Sequence, residues 1–201
     1  AVLTALIVNP VAAYALSRYK PPSAYKVLLF LMLTMAFPPM VTQIPAFLML
    51  REMQLLNTFW ALILPGLANG YSIFLLKGFF DSLPRELYES AEIDGAGEFR
   101  IFWQIALRIM VPGLVTVLLF ALVATWNNYF LPLIMLSDPT LFPLTLGLAQ
   151  LQAASEAGGG ASAQFSTVIT GSLVSIVPLV IVFLYLQKYW QSGLTTGGVK
   201  E

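Results

Sequence analysis

The chain has no cysteine and no histidine among its 201 residues. Without cysteine there are no disulfides, no thiolate chemistry and no cysteine-ligated zinc. Without histidine the commonest general base and metal ligand is missing. Charge is scarce as well. Only 10% of the residues are charged, and ten basic side chains balance ten acidic ones. Soluble domains carry roughly 25% charged residues. A net charge of zero gives no bulk attraction to nucleic acid. The phosphate-cradling pattern GxxxxGK[ST] is absent too, so ATP hydrolysis is not assigned to this chain. No nucleophile stands beside a base, and neither a cofactor nor a metal is expected.

Apolar residues are abundant: 58% of the chain is hydrophobic, with a mean hydropathy of +0.81. A soluble core of this length could not hide so much apolar surface, so lipid must cover part of it. A membrane-crossing helix needs about 20 mostly apolar residues. Five stretches qualify: 1–17, 27–50, 59–76, 111–136 and 165–187. The second contains Pro38, Pro39 and Pro45 as expected kinks, and the third contains Pro65, Gly66 and Gly70. Such residues are tolerated where neighbouring helices re-satisfy the backbone. Tyr19, Tyr25, Trp60, Tyr129, Tyr189 and Trp190 sit near predicted ends, as an aromatic belt would. The chain opens at Ala1 inside an apolar run, which predicts a missing N-terminal part. The first stretch lacks the basic flank of a signal peptide.

The basic residues fix an orientation. Arg18, Lys20 and Lys26 follow the first stretch. Lys77, Arg85, Arg100 and Arg108 fill the central polar segment, and Lys188 and Lys200 mark the end; only Arg51 lies elsewhere. Lys and Arg are retained in short cytoplasmic loops, so residues 78–110 become a cytoplasmic loop. Ala1 is then outside and Glu201 inside. Residues 51–58 and 137–164 become outer loops. The second outer loop contains AASEAGGGASAQ, a small-residue run that reads as flexible. The middles of the five stretches carry no charge, which argues against a proton-coupled carrier. No internal repeat of the kind a secondary carrier shows is visible.

The cytoplasmic loop is the most specific part of the chain. Ser82 can cap a helix, Pro84 suits its first turn, and Glu86 and Glu89 suit the positive end of its dipole. This helix is predicted to run to about Ile93, where Asp94-Gly95 makes a turn. Phe99, Phe102, Trp103, Ala106, Ile109 and Met110 then recur at three- and four-residue spacing, giving a second helix with one apolar face. From these residues alone the loop could also be an interfacial hairpin that only closes off a bundle.

The segment Glu89-Ser90-Ala91-x3-Gly95-x9-Ile105-x-Leu107 resembles the EAA loop of binding-protein-dependent ABC importer permeases. That family has Glu-Ala-Ala, three residues, Gly, nine residues, then Ile-x-Leu-Pro. Ser90 replaces the middle Ala. Arg108 replaces the Pro, which predicts that the second helix continues unkinked toward Pro112. Further matching pieces are Ala12–Leu16, Leu55–Thr58, Gly78–Phe80, Trp126-Asn127, Pro132-Leu133 and the ending Gly193–Lys200. Asn128 stands where the family usually has Glu. The resemblance covers nearly the whole chain and is closest to the carbohydrate-uptake branch that includes the smaller maltose-transporter permease.

The resemblance implies a fold and a set of partners. The fold would be an all-α polytopic membrane bundle, a type I importer (MetI-like) core of about five transmembrane helices. Residues 1–201 would be a single transmembrane domain, with the EAA loop, 78–110, inside it. Glu89, Ser90, Ala91, Asp94, Gly95 and Ala96 would dock on a cytoplasmic ATPase. Glu89 and Glu92 would meet its basic residues, and the small Ser90 and Ala91 would permit close approach. The ending would contact the ATPase dimer near its interface. Partners would be a second permease, two ATPase subunits, an extracytoplasmic solute-binding protein and the lipid bilayer of a bacterial or archaeal cell. The solute would be a sugar or oligosaccharide. A polyol or glycerol phosphate is the alternative, with a secondary carrier or an intramembrane enzyme as readings of another class. Polar residues inside the stretches commonly serve helix packing. Among them Trp126, Asn127, Asn128 and Tyr129 form the best candidate cluster for a sugar path, pairing stacking surface with hydrogen bonds.

Overall fold

The computed structural model describes residues 2–157 and 161–197, and every regular element among them is helical. We number the helices α1 (Val2–Arg18), α2 (Ala24–Ala36), α3 (Pro39–Glu52), α4 (Phe59–Ile63), α5 (Gly70–Asp81), α6 (Arg85–Ile93), α7 (Glu98–Ile109), α8 (Val111–Trp126), α9 (Phe130–Met135), α10 (Leu144–Ala157) and α11 (Ala161–Gly197). A short 3-10 turn, Leu64–Gly66, follows α4.

Helices α1, α5 and α8 pack on one another as the centre of the bundle. Ala13 and Tyr14 of α1 meet Ile73, Leu76 and Phe80 of α5, and Val117 of α8 belongs to the same buried cluster. The approach of α5 to α8 needs Gly113, where a Cβ would lie 3.0 Å from the Phe79 ring. A smaller cluster of Leu50, Ala61, Leu131 and Met135 joins α3, α4 and α9. Helix α10 lies against α11, which packs on α8. Most of α11 is bare: its apolar part, Ser166–Tyr189, has a mean hydropathy of 2.4 and no buried residue. A bare apolar helix of this length needs lipid or another subunit around it.

Only that segment is by itself long and apolar enough to cross a membrane among the described residues. Three helix pairs qualify when each bent pair is taken together, and α1 fills the first predicted stretch with 17 residues. The stretch 27–50 is not one straight helix. It bends by 103° between α2 and α3, because Phe37 and Pro38 are extended (ψ 132° at both). Each of these residues precedes a proline, whose ring drives its neighbour out of the helical region. The third stretch bends by 44° before α5. There Asn69 restarts the helix, its side chain accepting the Ser72 N–H at 2.9 Å. The stretch 111–136 also divides: α8 ends at Trp126, and α9 is a separate six-residue helix.

Two segments read as flexible or terminal are helical. AASEA belongs to α10 and ASAQ to α11, while Gly158–Gly160 lie outside the described residues. Ala and Leu are strong helix formers, and α10 is seated by Leu148 against Gly171 of α11. The ending continues α11 as far as Gly197, and residues 198–201 lie outside the described residues.

The connections after α3 and after α9 are tied by one residue. Asn57 has a positive φ of 57°. Its side-chain oxygen accepts the N–H groups of Ser137 (2.9 Å) and Asp138 (2.8 Å), and its own N–H donates to Met135 O at 2.8 Å. Asp138 is held below the usual carboxylate range by hydrogen bonds from the Thr140 backbone and hydroxyl.

Candidate functional site

The hairpin of α6 and α7 sits under the ends of α1, α5 and α8. Ser82 does not open it. Its hydroxyl donates to Phe79 O at 2.7 Å, so it closes α5, and Pro84 is the residue that precedes α6. Helix α6 ends at Ile93 as predicted. Gly95 has φ +77°, its N–H donates to Glu92 O at 3.0 Å, and the Ala96 N–H reaches Ala91 O at 2.9 Å. These two bonds make a Schellman ending, which needs a left-handed residue at the Gly95 position. A Cβ there would meet nothing within 4 Å. Glycine is therefore required for backbone angle and not for space.

The six EAA-loop residues divide between two faces. Glu89, Ser90, Asp94 and Gly95 are exposed. Ala91 is buried (5% exposed) among Tyr14, Tyr88 and Phe102, and the half-buried Ala96 packs on the same cluster. The small side chain at Ala91 admits this chain's own helices. Glu92 is ion-paired with Arg18 at the end of α1. Arg18 also lies 3.5 Å from Glu98 and 4.9 Å above the Tyr88 ring, while the Tyr14 hydroxyl donates to Glu98 at 2.9 Å. Burial pushes the Tyr88 phenol up, so it stays neutral against the cation. Sequence reasoning missed this network. The signal it left is a pair of four-residue spacings, Tyr14 with Arg18 and Tyr88 with Glu92, each placing two side chains on one helix face.

Helix α7 departs from the single apolar face read in its sequence. Phe102, Ala106 and Met110 are buried together with Ile101, whereas Phe99 is 79% exposed and Trp103 58%. The exposed rings stack at 6.3 Å, nearly parallel. The cause is a π-helical segment, Ile101–Ala106. Its longer hydrogen-bonded turn breaks the three- and four-residue register. Helix α7 runs on past Arg108 as far as Ile109. The chain turns by 78° at Met110, just before Pro112. Proline cannot donate to an incoming helix and clashes with the carbonyl four residues back.

The residues Trp126–Tyr129 divide between two neighbouring cavities and the exposed surface. Asn128 lines a cavity of about 560 Å³ between α3, α5 and α8, and its side chain accepts the Leu131 N–H at 3.3 Å to start α9. Trp126 lines a different cavity of about 230 Å³ with Pro143 and Leu144. Asn127 and Tyr129 are exposed and line neither. The interruption after Trp126 separates their directions. The larger cavity also takes Thr42 and Gln43 from α3, Asn69 and Ser72 from the start of α5, and Thr125 from α8. It lies at the ends of α5 and α8 opposite the hairpin.

A helical membrane bundle with a short helical hairpin at one end and a polar cavity toward the other has the architecture of a transport permease. The family model for the inner-membrane component of binding-protein-dependent transport systems matches residues 8–195, and the chain belongs to that family. The arabinooligosaccharides transport system permease protein AraQ of Halalkalibacterium halodurans is 33% identical over 199 residues, covering 99% of this chain and 69% of that protein. The polygalacturonan/rhamnogalacturonan transport system permease protein YtcP of Bacillus subtilis is 31% identical, covering 97% of this chain and 71% of its own length. Among solved structures, a bacterial ABC transporter involved in the import of the acidic polysaccharide alginate superposes with a TM-score of 0.80. It is 27% identical, covering 94% of this chain and 69% of that one.

Proposed function

We propose that this chain is one permease subunit of an ABC importer that carries a sugar or oligosaccharide inward. It would work with a second permease, two ATPase subunits and an extracytoplasmic binding protein. The names of the relatives support the solute class. ATP hydrolysis belongs to the ATPase subunits, and this chain is non-catalytic. The placement of Lys and Arg supports a cytoplasmic hairpin and a cytoplasmic C-terminus.

The observation that carries the mechanism is the two-sided hairpin. One side leaves Glu89, Ser90 and Asp94 exposed, and the other is locked to α1, α5 and α8 by Ala91, Phe102 and the Arg18 network. ATP binding closes the ATPase dimer, and the docked hairpin moves with it. Because that hairpin is packed into three membrane helices, its displacement becomes a rocking of the bundle. The ending of α11 would reach the same ATPase pair. The test is reconstitution of all subunits in liposomes, with ATP hydrolysis and uptake measured over a panel of sugars. Sugar- and binding-protein-stimulated hydrolysis is expected. Hydrolysis and uptake that ignore every sugar would overturn the reading.

A further inference from the structure

The larger cavity has a chemistry of its own. Its polar groups are amides and hydroxyls delivered from three helices: Gln43 from α3, Asn69 and Ser72 from α5, Thr125 from α8, and Asn128 just beyond it. No Asp, Glu, Lys or Arg lines it. One wall is aromatic, with Tyr71 and Phe120 meeting edge to face at 6.0 Å. Its volume of about 560 Å³ falls inside the usual range for small-molecule sites, about 300–1,000 Å³. The wall is pre-set: the Asn69 N–H is held by the fully buried Asn9 at 3.0 Å, and the Asn69 side chain is fixed by Ser72.

One atom at this site is unsatisfied. The Gln43 side-chain oxygen is buried and has no hydrogen-bond partner. Buried acceptors are nearly always paired, because water's donors have been given up for nothing otherwise. A carbonyl oxygen needs a donor. A sugar hydroxyl supplies one.

Resting on the sugar-importer reading, we propose that this cavity is a contact site for an uncharged saccharide. A sugar hydroxyl would donate to Gln43, Asn128 would bond a second hydroxyl, and the Tyr71 ring would lie against the apolar face of a pyranose or furanose. No cation of this chain lines the wall, so a carboxylate here would lose its water and gain no counter-charge from these residues, which favours an uncharged sugar.

The test uses the complete reconstituted importer with arabinotriose, maltotriose and chitotriose as neutral probes and trigalacturonate as the acidic one. Wild type is expected to import at least one neutral probe in preference to trigalacturonate. Gln43→Leu and Asn128→Leu should each lower uptake efficiency roughly tenfold through a raised KM, as expected for a lost hydrogen bond. Gln43→Met and Asn128→Ser serve if a leucine variant fails to assemble, and the same direction is expected. Assembled variants with wild-type KM would overturn the site while leaving the importer reading intact. Preference for trigalacturonate would overturn its neutral character. Wild-type protein that imports no sugar and shows no sugar-stimulated hydrolysis would overturn both readings.

Discussion

Arg18, in the last turn of α1, is ion-paired with Glu92, 74 positions later in α6. No other ion pair among the described residues bridges a membrane helix and α6. The pair sits beside the Ala91–Tyr14 packing, so α1 is tied to the hairpin by charge and by apolar contact at one place.

Replacing Arg18 by Gln separates these contributions. Glu92 is about half exposed, so the fold should lose only about 1 kcal/mol. Solute moved per ATP hydrolysed should fall further than stability does, because the hairpin can then shift without α1. The double exchange Arg18→Glu with Glu92→Arg should restore part of that ratio. No recovery would make the network a packing feature alone.

Gly95→Pro cannot take φ +77° and removes the N–H that reaches Glu92 O. Gly95→Ala keeps the N–H but strains the angle by roughly 1–2 kcal/mol. ATPase pull-down with the permease should fall strongly for proline and mildly for alanine. Glu89→Lys, which alters only an exposed charge, should weaken the same pull-down with the permease still in the membrane. A charge pair lost or repelled at a buried contact costs roughly 2–5 kcal/mol. Full co-purification and full uptake in the proline and lysine variants would show that this loop is not where the ATPase docks.

Ala91→Leu and Ser90→Leu differ by one position and should differ in kind. Leucine at the buried position overpacks the cluster and should cost roughly 1–3 kcal/mol. The thermal midpoint of the permease without ATPase should therefore drop. At exposed Ser90 that midpoint should stay put, and the loss should appear only in ATPase binding. A stable Ala91→Leu permease would mean that Ala91 does not face the bundle.

Because the chain lacks cysteine, single replacements report topology directly. Cysteines at Ser23 and Gly97, both exposed, should resist an impermeant thiol reagent applied to intact cells, and a cysteine at Thr140 should react. Reaction at Gly97 from outside would reverse the orientation.

Local features were legible in the sequence. The end of α6 at Ile93 and the turn at Asp94-Gly95 arise from a few neighbouring residues, and apolar length marked the membrane regions. The direction in which Ala91 points depends on α1, more than 70 positions away, and no spacing within the loop encodes it. Phe37 is a different case. The double proline reads as a kink, but two successive residues forced extended make a bend of 103°. Trp126 and Asn128 look like one cluster because they are near neighbours in the chain. The end of α8 between them sends the two side chains into separate cavities.

The Asn57 bonds carry a mechanical consequence. By gripping the backbone at Ser137 and Asp138, this side chain ties the rim after α9 to the connection that follows α3. Gln43 rides on that same α3. The rim thus has a covalent and hydrogen-bonded route to the cavity wall that does not include the hairpin. The bundle has two handles at opposite ends, and its polar cavity lies within reach of both.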